Sequence, residues 1–187
     1  YGLVGSEMCI RDSYKIDVTK AGETVEIKGL NHRIFPWVLE LVCRGLNVYL
    51  CGPSGSGKTT LAKRTAEALK LAFYYTGAIL QKYELLGYMD ANGNYISTSF
   101  YECYKNGGLY LWDEIDASNP GALVAFNAAL ENGVLAAPNG EMVEIHPDFH
   151  CIAAANTIGK GSTQKHAGRQ PIDGAVTERY AFVQMNY

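Results

Sequence analysis

Apolar positions along the chain follow two different periods, and the switching between them predicts the elements. From Tyr14 to Gly29, Tyr14, Ile16, Val18, Val25 and Ile27 alternate around Ala21-Gly22, which predicts a small β-hairpin. Ile34, Val38, Leu41 and Val42 then recur at helical spacing and predict a helix over 34–46. Asn47 to Cys51 (NVYLC) is a continuous apolar run ending at glycine, as a buried strand requires. Leu61, Ala62, Thr65, Ala66 and Leu69 share one face of a helix predicted over 59–71. Ala72 to Gly77 reads as a second strand, and 85–98, rich in Gly, Asn and Asp, as a loop with short structure. Ser99 to Asn106 is expected to be a short helix, and Gly108 to Asp113 (GLYLWD) a third strand. Asn119-Pro120 has the pairing of a helix cap with proline at the first helical position. The helix that follows carries Leu123, Phe126, Ala129 and Leu130, and Gly133 stops it. A hairpin is predicted over 134–145 around Pro138-Asn139-Gly140, a fourth strand over Phe149 to Ala155 and a fifth over Tyr180 to Met185.

Core strands that are continuously apolar and alternate with helices suit a mostly parallel sheet covered on both faces. A length of 187 residues suits one α/β domain. With 48% hydrophobic and 19% charged residues, disorder and a fibrous chain are excluded. The net charge of -3 gives no bulk attraction to nucleic acid or to an anionic membrane, so neither is expected as a partner. No apolar stretch reaches the roughly 18 residues of a spanning helix. Cys9, Cys43, Cys51, Cys103 and Cys151 are scattered and odd in number, which reads as reduced thiols, most simply buried small hydrophobes, in a cytoplasmic setting. Residues 1–13 lack any period, resemble translated sequencing-adapter sequence, and are expected to be a non-native or disordered leader. Residues 14–46 are read as an N-terminal hairpin and helix, and 47–187 as the core.

The strongest chemical signal is Gly52 to Thr59, GPSGSGKT, which matches G-x-x-x-x-G-K-[ST] between a strand and a helix. Glycines let the backbone curl into a concave loop whose N–H groups point at phosphate oxygens, and the helix start adds its positive end. Gly52, Pro53, Ser54, Gly55, Ser56, Gly57, Lys58, Thr59 and Thr60 form this cradle, with Lys58 as the point charge and Thr59 as a hydroxyl for Mg²⁺. A chance glycine-rich turn is the bland alternative. The third strand ends in Asp113-Glu114: Asp113 would hold Mg²⁺ and Glu114 would activate a water, or both simply belong to a solvated turn. Asp116 could continue the site, but a helix-capping or surface role is the simpler expectation. Asn156, directly after the fourth strand, could orient the water or the γ-phosphate, or be a turn residue. Arg179, before the last strand, could reach the nucleotide of a neighbouring subunit or pair with a local acid such as Glu178 or Asp173; Arg169 is a second candidate.

The order of phosphate loop, acid pair, strand-end Asn and Arg before the last strand resembles an AAA+ ATPase. More narrowly it resembles the MoxR-like and dynein-related group, including CobS-type and CbbQ-type ATPases. The likeness rests on ELLG at 84–87, GGLYLWDEIDASN at 107–119, LENG at 130–133 and HPDF at 146–149 leading into AAANT at 153–157. It implies a P-loop NTPase three-layer sandwich with a five-stranded sheet. It implies Asp113 and Glu114 as hydrolytic acids, Asn156 as first sensor and Arg179 as a finger acting in trans. The arginine stands in Glu178-Arg179-Tyr180 where the family has Asp-Arg-Phe, and the family's helical lid is expected beyond Tyr187, so a fragment is expected. The resemblance also implies that Tyr88-Met89 or the 134–145 hairpin grips a partner; a plain surface loop fits both as well. His146 and His150 are four apart, but Pro147 between them denies a shared helix face for a metal.

The resulting expectation is ATP binding and Mg²⁺-dependent hydrolysis that remodels or activates a protein partner, in a homo-oligomeric ring. Two other readings stay open: a P-loop kinase of a small molecule, and a nucleotide-gated assembly module with little hydrolysis.

Overall fold

The structure is a computed structural model and describes residues 16–20, 23–27, 32–156 and 179–186. Strands β1 (Ile16–Lys20) and β2 (Glu23–Ile27) pair antiparallel with Lys20 opposite Glu23, the hairpin expected around Ala21-Gly22. Helix α1 (Phe35–Cys43) is followed by β3 (Asn47–Cys51), α2 (Lys58–Ala68) and β4 (Phe73–Thr76). Next come α3 (Lys82–Leu86), a two-residue ladder of β5 (Tyr88–Met89) with β6 (Tyr95–Ile96), and α4 (Ser99–Asn106). Strand β7 (Gly108–Trp112) leads through a 3₁₀ turn (Ile115–Ala117) to α5 (Pro120–Asn132). The β8 (Val134–Ala136) and β9 (Met142–Glu144) hairpin, β10 (Phe149–Ala155) and β11 (Tyr180–Gln184) complete the described chain.

Five strands form one sheet in the order β11-β3-β10-β7-β4, and every pairing is parallel. The expected five-stranded, mostly parallel sheet is thus present, with all four of its described pairings parallel. Side chains alternate across this sheet and fill two cores. On one face Tyr49, Cys51, Tyr110, Trp112, Ala153 and Ala155 pack against α4 and α5 through Phe100, Tyr104 and Phe126. On the other Val48, Leu50, Leu109, Leu111, Ile152 and Ala154 meet α1 and α2 through Val38, Leu39, Leu61 and Ala62. Both faces are covered, which is why these strands read as unbroken apolar runs. Trp112 and Phe126, ring centroids 4.9 Å apart and edge-to-face, anchor the aromatic core.

Local chemistry sets the element ends as expected. Asn119 Oδ1 accepts from Gly121 N at 2.8 Å with Pro120 at the start of α5, and Gly133 closes that helix. Thr98 caps α4 by accepting from Tyr101 N at 3.2 Å. Helix α3 was not anticipated beyond "short structure". Its five residues bury only Leu85, too little for a helical period, and a capping box between Gln81 and Glu84 fixes its start.

Candidate functional site

The loop between β3 and α2 carries the glycine-rich motif. Gly57 takes φ 86°, ψ 20° at the cap of α2, a left-handed conformation that suits glycine. Gly52 N donates to Ala155 O at 3.2 Å, which ties the loop's start to the end of β10. Lys58 is 8% exposed, and its ammonium donates to Gly52 O at 2.7 Å, Pro53 O at 3.0 Å and Asn156 Oδ1 at 2.9 Å. All three donor positions are thereby used, so the charge is satisfied although it lies away from solvent. Burial pulls the Lys58 pKa below its usual value, while Asp113, Cys51, Asp116 and Glu114 pull it back up.

The sheet order explains how the remaining groups arrive. Strand β10 lies between β3 and β7, so Asn156 at its carboxyl end falls between the loop and the acids at the end of β7. Thr59 Oγ1 donates to Asp113 Oδ2 at 3.0 Å, and Asp113 N donates to Thr76 O at 2.8 Å, fixing the acid against β4. Glu114 sits at φ 53°, ψ 38°, a left-handed conformation unusual for a residue with a side chain. Ser54, Gly55, Gly57, Lys58, Thr59, Thr60, Tyr75, Gly77, Asp113, Glu114 and Asn156 line one cleft of about 410 Å³. It opens at the carboxyl ends of the parallel strands, where open α/β sheets hold their ligands.

A family model for the AAA domain of the dynein-related subfamily matches residues 47–170. The chain belongs to this AAA family. Among solved structures it is similar to a candidate ATPase from Cytophaga hutchinsonii ATCC 33406 (19% identity, TM-score 0.64), covering 82% of this chain and 46% of that one. It is also similar to NtrX from Brucella abortus (16% identity, TM-score 0.66), over 81% of this chain and 36% of that one. NtrX in complex with ADP superposes with a TM-score of 0.62 at 18% identity, over 81% of this chain and 34% of that one. The chain thus spans less than half the length of these structural relatives. Comparison with curated proteins gave no significant match.

Within this AAA domain Lys58, Thr59, Asp113, Glu114 and Asn156 meet in the cleft. Thr60 and Ser54 line it, whereas Ser56 is buried with its hydroxyl unpartnered among the described residues. Arg179 does not join them. It precedes β11, whose Tyr180 pairs with Asn47 at the start of β3, at the opposite end of the sheet from the loop. Its guanidinium donates to Glu131 Oε2 at 2.7 Å; Glu178 and Asp173 lie outside the described residues. Arg169 lies outside the described residues, as do Cys9 and residues 1–13.

Asp116 is corrected. It is 1% exposed, not a surface group, because the 3₁₀ turn after Glu114 folds it inward, where its charge acts on Lys58 and Cys51. Tyr75 was missed, although it stands one residue before the carboxyl end of β4 and lines the cleft. Burial, followed by Asp113 and Glu114, raises its hydroxyl pKa. Cys51, Cys103 and Cys151 are buried free thiols whose pKa values burial raises, as small core residues require. Tyr88 and Met89 are 47% and 43% exposed. His146 Nδ1 accepts from Asp148 N at 3.0 Å, and no metal cluster of three or more His, Cys, Asp or Glu occurs among the described residues. No helix among them is long and apolar enough to cross a membrane.

Proposed function

We propose that this AAA domain binds ATP with Mg²⁺ and hydrolyses it, in a homo-oligomeric ring that remodels or activates a protein partner. The observation that carries the reading is the convergence of Lys58, Thr59, Asp113, Glu114 and Asn156 on one cleft. The residues fit the groups they would hold. The Thr59 hydroxyl and Asp113 carboxylate, 3.0 Å apart, are the hard oxygen donors that Mg²⁺ prefers. NtrX, of the same fold, has been solved with ADP.

In this reading Lys58 exchanges its present oxygen partners for phosphate oxygens, and the loop N–H groups bond the same phosphates. Mg²⁺ held by Thr59 and Asp113 would supply charge neutralisation on the phosphates. Glu114 accepts a proton from the water that attacks the γ-phosphorus, and the bond to the ADP oxygen breaks. Asn156, already bonded to Lys58 Nζ, holds the water and phosphate in line. Arg179 is at the wrong end of the sheet for its own cleft. β11 rises about 3.3 Å per residue over its five residues, about 16 to 17 Å in all, so its role is toward a neighbour's nucleotide. Exposed Tyr88 and Met89 supply apolar surface for a partner. A cytoplasmic setting accords with the buried free thiols.

The test is phosphate release from Mg·ATP with no acceptor added, for the wild type and Glu114→Gln. Removing a general base lowers turnover by about 10²–10⁴-fold while ATP affinity stays within threefold. Equal rates in the two proteins would favour a non-hydrolysing assembly module, and turnover only with a small-molecule acceptor would favour a kinase.

A further inference from the structure

The acid turn that presents Glu114 is held by a hydroxyl outside the cleft. Ser118 is 3% exposed and lies between the 3₁₀ turn and α5. Its Oγ accepts from Trp112 Nε1 at 3.0 Å and from Ile79 N at 3.0 Å, and donates to Glu114 O at 3.4 Å. A serine hydroxyl has two lone pairs and one proton, so all three capacities are used. Each partner comes from a different segment. Trp112 is the last residue of β7, directly before the acid pair. Ile79 follows Gly77, which lines the cleft, and precedes α3. Glu114 is the residue held at φ 53°.

Backbone contacts reinforce the same joint. Asn119 N donates to Ile79 O at 2.7 Å, so both backbone polar groups of Ile79 are clipped, one to the Ser118 side chain and one to the Asn119 backbone. Ser118 N itself donates to Ile115 O at 3.1 Å, closing the turn. A left-handed conformation at a residue with a side chain persists only where surrounding contacts over-determine it. Here the Glu114 carbonyl accepts from Ala117 N at 2.9 Å within the turn, and the Ser118 hydroxyl reaches the same oxygen from the core side.

We propose that Ser118 is a positioning residue for hydrolysis: its hydroxyl holds the strained Glu114 backbone and joins it to the segment leading into α3 and the exposed β5–β6 hairpin. This deepens, and rests on, the reading of Glu114 as the water-activating base. Ser118 lines no part of the cleft, so it acts on the chemical step through Glu114 and not on ATP binding. A serine-to-alanine change at this place would strand two buried N–H donors and free the turn, whereas threonine keeps the hydroxyl.

The test compares the whole chain with Ser118→Ala and Ser118→Thr, and with Ser118→Cys, which keeps the size but weakens all three bonds should the alanine variant not fold. Three quantities are read: kcat and KM for Mg·ATP, ATP affinity, and amide hydrogen exchange across 113–118. Ser118→Ala is expected to lose tenfold or more in kcat with KM and affinity within twofold. Its acid-turn amides exchange at least tenfold faster while those of α5 beyond its first turn do not. Ser118→Cys loses threefold or more in kcat at unchanged KM, and Ser118→Thr returns to within threefold of wild type. Normal kcat in Ser118→Ala or Ser118→Cys overturns the proposal. So does parallel loss of kcat and affinity, threonine performing no better than alanine, or unchanged exchange in the acid turn. If Glu114→Gln slows turnover while Ser118→Ala does not, this proposal alone fails. If Glu114→Gln matches wild type, the base assignment fails and takes this proposal with it.

Discussion

Gly52 gives a sharp test of how the phosphate loop is seated. A Cβ built there lies 2.5 Å from Met185 O and 2.9 Å from Met185 Cβ, so the oxygen contact is about 0.9 Å short of the 3.4 Å of ordinary packing. Neither neighbour is the free end of a flexible chain. Met185 is fully buried, and its N–H donates to Cys51 O at 2.7 Å, one residue before the glycine. Gly52→Ala must therefore move backbone, either the loop or the tail of β11. Forcing a methyl into a filled core costs about 1–3 kcal/mol. For a chain of this size that is about 2–4 °C of Tm per kcal/mol, so a loss near 2 kcal/mol lowers Tm by about 4–8 °C. The same shift displaces the loop whose N–H groups are to meet the phosphates, and ATP affinity falls about tenfold or more. Gly57→Ala is the comparison. Nothing lies within 4 Å of a Cβ there, and only the strain of φ 86° is incurred, about 1 kcal/mol. The assay is thermal unfolding by circular dichroism together with an ATP titration. Gly52→Ala melting and binding like wild type, or Gly57→Ala proving the more damaging of the two, would refute the close seating of β11 against the loop.

Two further outcomes follow from groups outside the cleft. Tyr104 is fully buried, its hydroxyl donates to Ala129 O at 2.8 Å, and burial pushes its pKa up to about 12. A raised folded pKa gives stability that is complete below the ordinary tyrosine pKa of about 10 and is lost as pH climbs toward 12, about 2–3 kcal/mol in all. Tyr104→Phe should be the less stable protein in denaturant titrations at pH 8, by about 1 kcal/mol, and should close that gap by pH 11.5; a gap that stays constant with pH would contradict the burial argument. Among the described residues Arg179→Ala breaks an exposed pair with Glu131, worth about 0–1 kcal/mol, so Tm and ATP affinity hold while turnover in the assembled ring falls about 10³-fold or more. Turnover per subunit that is normal in Arg179→Ala at all protein concentrations would remove it from the site.

Much of the fold was legible because the sheet is buried on both faces. Strands such as GLYLW and the CIAAA stretch of β10 then contain no polar interruption, and their ends fall where Gly, Asp or Asn begins. Asn119-Pro120 and Gly133 set the ends of α5 through side-chain and backbone chemistry that is local in sequence. The strand order was not legible, since no local pattern says that β10 inserts between β3 and β7. Yet that order is what brings Asn156 to Lys58. Helix α3 escaped because Leu85 alone is buried in it. Asp116 was placed at the surface because nothing local in sequence shows that the 3₁₀ turn folds it inward, to 1% exposure. Tyr75 could have been found by asking which residues end the strand beside the acid strand. Ser118 could not, because its partners Ile79 and Trp112 meet only in the folded chain.

The central claim is that the loop and the acids form one nucleotide site centred on Lys58, and calorimetric titration with Mg·ATP of the wild type and Lys58→Ala tests it most directly. The account predicts saturable one-to-one binding by the wild type and affinity at least 100-fold weaker in a Lys58→Ala protein that still unfolds cooperatively, about 3 kcal/mol lost with the buried ammonium. Equal affinity in the two folded proteins would contradict it.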